Sequence, residues 1–176
     1  MADSQQILTE QRSYFLTGQT RSLSARLDPL AKLLRLIREQ SEPILSALQI
    51  DLNRPEAESQ RLELGPVIAE LQLYLRELKR WSKHTSKVER RGRNLYTQTV
   101  TREPKGSVLI LANWTLPLRS ALIPLINAVG AGNCVVLKTA VPTQRTNRVI
   151  KRLLEQVFDK RHVSVLMGDD ELGRQL

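Results

Sequence analysis

The sequence predicts an α/β fold: N-terminal helices, then an exposed basic hairpin, then a partial, doubly wound parallel sheet. Three observations carry that expectation. Apolar residues recur at helical spacing through roughly the first half of the 176 residues. The stretch 86–104 loses that period and gathers cations. From Lys105 onward, short continuous apolar runs alternate with longer amphipathic ones in the order β-α-β-α-β-α, the pattern of parallel strands joined by crossover helices. The expected organisation is a helical segment over 1–85, a basic strand and hairpin linker over 86–104, and an incomplete half-domain over 105–176.

Leu27, Leu30, Leu34 and Ile37 form the first helical stripe. Asp28-Pro29 falls within it, and an interior proline costs about 3 kcal/mol unless the helix starts there. Ser41-Glu42-Pro43 reads as a cap with an early proline and opens a short helix through Leu52, which Asn53-Arg54-Pro55 breaks. A longer stripe follows in Leu64, Val67, Ile68, Leu71, Leu75 and Leu78, with Gly65-Pro66 marking either a kink or the true helix start. Asn94–Thr101 is rich in threonine and alternates loosely, which suits a strand on an exposed ribbon; Pro104-Lys105-Gly106 is a turn. Val108–Leu111 is a short apolar run of the kind covered on both faces. Leu116–Val129 is an apolar helix ended by Gly130 and Gly132, and Cys134–Leu137 is a second buried strand. Val149, Ile150, Leu153, Leu154, Val157 and Phe158 form an amphipathic stripe opposite Arg145, Arg148, Lys151 and Arg152. Val163–Met167 is the third strand, and Gly168-Asp169-Asp170 opens a short final helix.

An apolar fraction of 41% and a charged fraction of 26% are ordinary for a folded domain. No uncharged apolar run reaches the length of about 18 residues that a membrane span needs. The N-terminus shows no secretory pattern, and the single Cys134 cannot form an internal disulfide, so a cytoplasmic location is expected. The net charge of +9 is concentrated: 80–105 holds eight Lys/Arg against Glu89 and Glu103. Trp81 and Tyr96 are the only aromatics nearby and no nucleic-acid-binding motif accompanies them, so a solvated basic hairpin is expected rather than a nucleic-acid site. His84 and His162 have no metal-ligand spacing with each other or with Cys134, so no metal site is expected.

In an open parallel sheet, ligands bind beyond the carboxyl ends of the strands. That singles out Asn113-Trp114-Thr115 after the first strand and Lys138-Thr139-Ala140 after the second. No Gly-x-Gly-x-x-Gly follows the first strand, so an ordinary phosphate loop is absent. Lys138 has the reach to meet ribose hydroxyls or a phosphate; the alternative is a surface lysine that ends a strand.

Pro104-Lys105-Gly106-Ser107-Val108-Leu109-Ile110-Leu111-Ala112-Asn113-Trp114-Thr115-Leu116-Pro117, and later Ala131-Gly132-Asn133-Cys134-Val135-Val136-Leu137-Lys138, are the most specific stretches. With Ala47–Glu56 upstream and Val163–Gly168 downstream, the chain resembles the N-terminal third of the aldehyde dehydrogenase family, in particular its class 3 or fatty-aldehyde branch. The resemblance implies a Rossmann-like NAD(P)-binding half-domain and, for the family, oxidation of aldehydes to acids. In that chemistry a cysteine attacks the carbonyl, hydride leaves to nicotinamide, and a glutamate activates water.

The same resemblance assigns residues and exposes departures. Thr115 occupies the position of the Asn that donates to the oxyanion, a contribution of about 2.7–4 kcal/mol. Asn113 falls two residues earlier and is not expected to replace it. Trp114, Lys138 and Val141 take the cofactor-binding positions, but Val141 stands where the family has a glutamate, so NAD or NADP binding is expected to be weakened or lost. Pro29 falls within a helix of the family. The catalytic cysteine and glutamate correspond to sequence past Leu176, and Cys134, inside a strand, is not that nucleophile.

Three readings follow: a truncated, divergent relative that is inactive alone; one half of a split enzyme, with a complementing chain or second copy over the exposed sheet edge; or a non-catalytic binding protein using Arg90, Arg91 and Arg93 of the hairpin.

Overall fold

The computed structural model describes residues 2–83, 85–91 and 94–168. His84, Arg93 and the proposed final helix from Asp169 onward lie outside them. Helices α1 (Ala2–Leu16), α2 (Leu23–Glu39), α3 (Ser41–Leu52) and α4 (Glu56–Ser59) come first. A π-helical turn, Gln60–Leu64, leads into α5 (Gly65–Trp81). Strands β1 (Thr85–Arg91) and β2 (Asn94–Val100) precede β3 (Ser107–Leu111), α6 (Pro117–Gly130), β4 (Cys134–Lys138), α7 (Gln144–Val157) and β5 (Val163–Leu166).

Pro29 does not start its helix. Ser22 caps α2, its Oγ accepting from Ala25 N at 3.1 Å, and the proline sits in the second turn. Leu30, Leu33 and Ile37 carry the fully buried stripe, so burial of that face holds the helix despite one missing N–H. Leu27 and Leu34, expected in the stripe, are only half-buried. Helix α3 spans Ser41–Leu52, but Ser41 is its first residue and not its cap. Gln40 takes the N-cap position without a side-chain bond, and Asn53 ends the helix in the left-handed conformation at φ 48°.

The Gly65-Pro66 question has a different answer. The chain is helical from Glu56 to Trp81, and a π turn takes up the proline. Gly65 N–H bonds to Gln60 O, five residues back, and a Cβ at Gly65 would lie 2.9 Å from that oxygen. The wider turn relieves the clash a proline makes with the carbonyl four residues earlier. It also turns Glu63 and Leu64 inward together.

β1 and β2 form a two-stranded antiparallel ribbon from Thr85↔Val100 to Arg91↔Asn94. Val88, Leu95, Tyr96 and Val100 on it are exposed. The second sheet is parallel throughout, in the order β3-β4-β5, with Leu111 opposite Lys138 and Lys138 opposite Leu166.

On one face Val108, Ile110, Val135, Leu137, Val163 and Val165 join α6, α7, α2 and α5 in a continuous apolar core. On the other face lies α1: Gln11 Nε2 donates to Val135 O at 2.7 Å, and Cys134 Sγ contacts Gln11 O at 3.8 Å. Burial pushes the Cys134 thiol up to about 11, as suits an inert core thiol.

β4 is buried along its whole length, but β3 is not covered on both faces as its apolar run suggests. Leu109 is 41% and Leu111 59% exposed, because β3 is an edge strand and α1 shields the central strand beside it. The start of the sheet is pinned by Asn133. Its Oδ1 accepts from Lys105 N (2.7 Å) and Gly106 N (3.0 Å), while its Nδ2 donates to Ala128 O (3.2 Å). Gly132 takes the turn at φ +89°, where a Cβ would also lie 3.3 Å from Thr20 O.

His162 is buried between Tyr14 (5.9 Å) and Phe158 (5.4 Å), with Nε2 unpartnered among the described residues. Burial lowers its pKa below 6.5, opposed by the Asn133 backbone and Asp159. The unfolded chain therefore binds the extra proton first. The stability this site contributes is complete above 6.5 and is lost as pH falls below it toward the folded value. Urea denaturation on either side of that pH is expected to show an acid loss of stability that His162→Phe reduces.

Candidate active-site edge of the parallel sheet

The carboxyl edge of the sheet is built by two loops and by two acids reaching in from the helical segment. β3 ends at Leu111, and Ala112 N still donates to Lys138 O at 2.9 Å. Asn113 then organises the turn into α6. Its Oδ1 accepts from Thr115 Oγ1 and from Leu116 N, each at 3.0 Å, and Ser120 Oγ accepts from Asn113 N at 3.1 Å. The Thr115 hydroxyl proton is thus directed into the loop. Trp114 stands 55% exposed at its tip.

Leu116, the N-cap of α6, makes no side-chain cap, so the first N–H groups of that helix need another acceptor. Glu63 supplies it. Its Oε2 accepts from Leu118 N at 2.8 Å and Arg119 N at 3.4 Å, and its Oε1 pairs with Arg54 Nη1 at 2.8 Å. Arg54 Nη2 also donates to Thr115 O at 2.8 Å. One ion pair therefore fastens both the helix start and the loop that carries Trp114 and Thr115. Glu63 has no exposed surface. Burial raises its pKa above 4.5, against the pull of the Leu118 and Arg119 amides and of Arg54.

The second loop has the same design. Thr143, the N-cap of α7, makes no side-chain cap to its own helix. Asp51 at the end of α3 accepts from Thr146 N at 2.7 Å and Arg145 N at 3.4 Å. Asn147 Nδ2 donates to Ala140 O at 2.5 Å, and Thr143 Oγ1 donates to Asn147 Oδ1 at 3.2 Å.

Lys138 ends β4 and is 6% exposed, so it is a buried lysine rather than a surface one. Val141 is 40% exposed and, with Thr139, Ala140, Gln144 and Met167, lines a cleft between the ends of β4 and β5. The structure thus brings Trp114, Thr115, Lys138 and Val141 to one edge of the sheet. No cluster of metal-ligating side chains occurs among the described residues, and none of their helices is long and apolar enough to cross a membrane.

Sequence reasoning passed over Asp51, Arg54 and Glu63. The only local signal was a carboxylate between two leucines, Leu62-Glu63-Leu64, in an otherwise apolar helical stretch.

Removing one member of a buried ion pair strands the other, at a cost of about 3–5 kcal/mol. With Arg54 17% exposed, Glu63→Ala is expected at the lower end, about 3 kcal/mol by urea denaturation. Glu63→Gln keeps an acceptor for Leu118 N and is expected to lose less. Because the folded pKa is raised, the native carboxyl also loses stability as pH rises from 4.5 through the folded value, and the Gln variant lacks that limb.

Compared with known proteins, residues 2–176 match the family model described as "Aldehyde dehydrogenase family". The chain is 34% identical over 163 residues to 4,4'-diaponeurosporen-aldehyde dehydrogenase of Staphylococcus aureus, covering 92% of this chain and 35% of that protein. It is 34% identical over 173 residues to aldehyde dehydrogenase family 3 member B1 of Rattus norvegicus, covering 96% and 36%. Among solved structures, the substrate-bound Staphylococcus aureus AldH superposes with a TM-score of 0.90 at 32% identity, over 97% of this chain and 37% of that one. GapN of Methanocaldococcus jannaschii, solved with NADP, shares the fold with a TM-score of 0.77 at 19% identity, over 97% and 37%. The chain spans about a third of the length of these relatives. From its Rossmann-type parallel sheet to its match along nearly every residue, this chain belongs to the aldehyde dehydrogenase family.

Proposed function

We propose that the chain supplies the first half of the nucleotide-binding domain of an NAD(P)-dependent aldehyde dehydrogenase and does not oxidise aldehydes by itself. The observation that carries this reading is the parallel β3-β4-β5 sheet with Lys138 at the carboxyl end of its central strand. Nucleotides bind beyond that end of such sheets. The residues of the cleft fit an adenosine group: Ala140, Val141 and Met167 give an apolar wall and Gln144 an amide. Lys138, buried at the end of β4 beside it, is the cation nearest in sequence for ribose hydroxyls or phosphate. The NADP complex of GapN supports NAD(P) as the cofactor class. When bound, the nicotinamide accepts hydride from the substrate carbon.

The chain's own residues bind and orient. Trp114 stands exposed on a loop held by Arg54, and Lys138 would meet the ribose. Thr115 is a poor oxyanion donor, since its proton is given to Asn113. At Val141 the ribose hydroxyls lack a charged acceptor, which weakens NAD and removes a carboxylate that would repel a 2′-phosphate. In the family, the attacking cysteine and the glutamate that activates water correspond to sequence past residue 176. Leu109 and Leu111 offer an apolar face on which polypeptide bearing those groups would pack. The unpaired Cys134 supports a cytoplasmic setting.

The purified chain, given aliphatic aldehydes with NAD or NADP, is expected to produce no more reduced cofactor than a heat-killed control; turnover above that control refutes the reading. Val141→Glu places a charged acceptor beside the ribose, and a hydrogen bond to a charged group contributes about 1.5 kcal/mol or more. Calorimetry is expected to show NAD bound roughly tenfold tighter and NADP no tighter.

A further inference from the structure

The opposite edge of the sheet, where the strands begin, holds a cleft that nucleotide binding leaves unused. The C-terminal ends of α5 and α6 meet there with the start of α2 and with residues 101–104. One part is aromatic: Tyr74 and Trp81 line it, their rings edge to face with centroids 5.2 Å apart at 81°. Tyr74 lies so close on Gly130 that a Cβ there would overlap its ring, which fixes the aromatic wall. The other part is cationic: Arg21, Arg26 and Arg102 line it, with Glu103 as the acid.

Two of these guanidiniums already bond backbone carbonyls, one at the end of α6 and one just past α5. Arg26 Nη1 donates to Gly130 O at 3.2 Å, and Arg102 Nη1 donates to Lys83 O at 3.3 Å. The carbonyl end of α6, which would repel an anion, is thereby capped by positive charge, and Arg102 stands beside the end of α5. Among the described residues Glu103 forms no ion pair with them and the Arg21 side chain makes no hydrogen bond, so three cations face one acid. Ser82 Oγ, between the aromatic and cationic parts, is buried without a partner among the described residues. A buried hydroxyl in that state retains a donor for any oxygen that reaches it.

We propose that this cleft binds a small aromatic anion: one flat ring bearing a single phosphate or carboxylate. The ring packs on Trp81 and Tyr74, the charged head meets Arg21 and Arg102, and Ser82 donates to a head-group oxygen. The site is independent of the aldehyde chemistry, and an inactive chain would still display it.

The test titrates the chain, in a Trp114→Phe background so that fluorescence reports Trp81, with phenyl phosphate, benzoate, inorganic phosphate and phenol. Phenyl phosphate or benzoate is expected to quench Trp81 and to bind about tenfold or more tighter than inorganic phosphate or phenol. The arm that binds tighter identifies the head group. Arg102→Ala and Arg21→Ala are each expected to weaken that binding by about tenfold, and Ser82→Ala by less. Arg21→Ala removes no bond among the described residues and keeps the test valid should Arg102→Ala unfold the chain. The proposal is overturned if inorganic phosphate or phenol binds as well as the aromatic anions. It is equally overturned if the folded arginine variants bind unchanged, or if nothing binds at millimolar concentration.

Discussion

Two carboxylates borrowed from the helical segment hold the sheet's working edge together. Neither crossover helix caps its own N-terminus with a side chain. Glu63 does it for α6 and Asp51 for α7. A helix start exposes N–H groups with partial positive charge, and an acid there satisfies the donors and the dipole together. Because each acid belongs to a distant helix, capping here is also long-range tethering. The loops that carry Trp114, Thr115 and Val141 are held between the sheet and these tethers.

The π turn belongs to the same arrangement. Pro66 disfavours an ordinary helical turn ahead of it, and the wider turn that replaces it points Glu63 at α6. Arg54, released from helical geometry by the Asn53 turn, then reaches both Glu63 and the Thr115 carbonyl. A local backbone irregularity thus sets the position of a loop about fifty residues away in sequence. Its energetic weakness is burial: Glu63 is ionised only at the cost of desolvation, which Arg54 and two amides offset.

Much of the fold is legible in the residues because it is local. The early proline of Ser41-Glu42-Pro43 and the Asn53 turn mark α3 at both ends, and the apolar runs at Val108, Cys134 and Val163 mark three parallel strands. The exposure of β3 was not legible, because an apolar run says nothing about which neighbours arrive to cover it. Leu33 displaced Leu34 from the buried stripe for a similar reason, since the helix rotates to suit its partners. At the candidate site, motif resemblance located Trp114, Thr115, Lys138 and Val141 on one edge. Asp51, Arg54 and Glu63 escaped notice because each acts on backbone amides, carbonyls or a partner far away in sequence, which no local pattern encodes.

The placement of Cys134 has one more consequence. Its sulfur is sealed between the central strand and α1, with the thiol held far from ionisation. Maleimide or iodoacetamide can reach it only after α1 lifts from the sheet. The lone cysteine is therefore a built-in gauge of that opening, and its alkylation rate reads how often the first helix lets go.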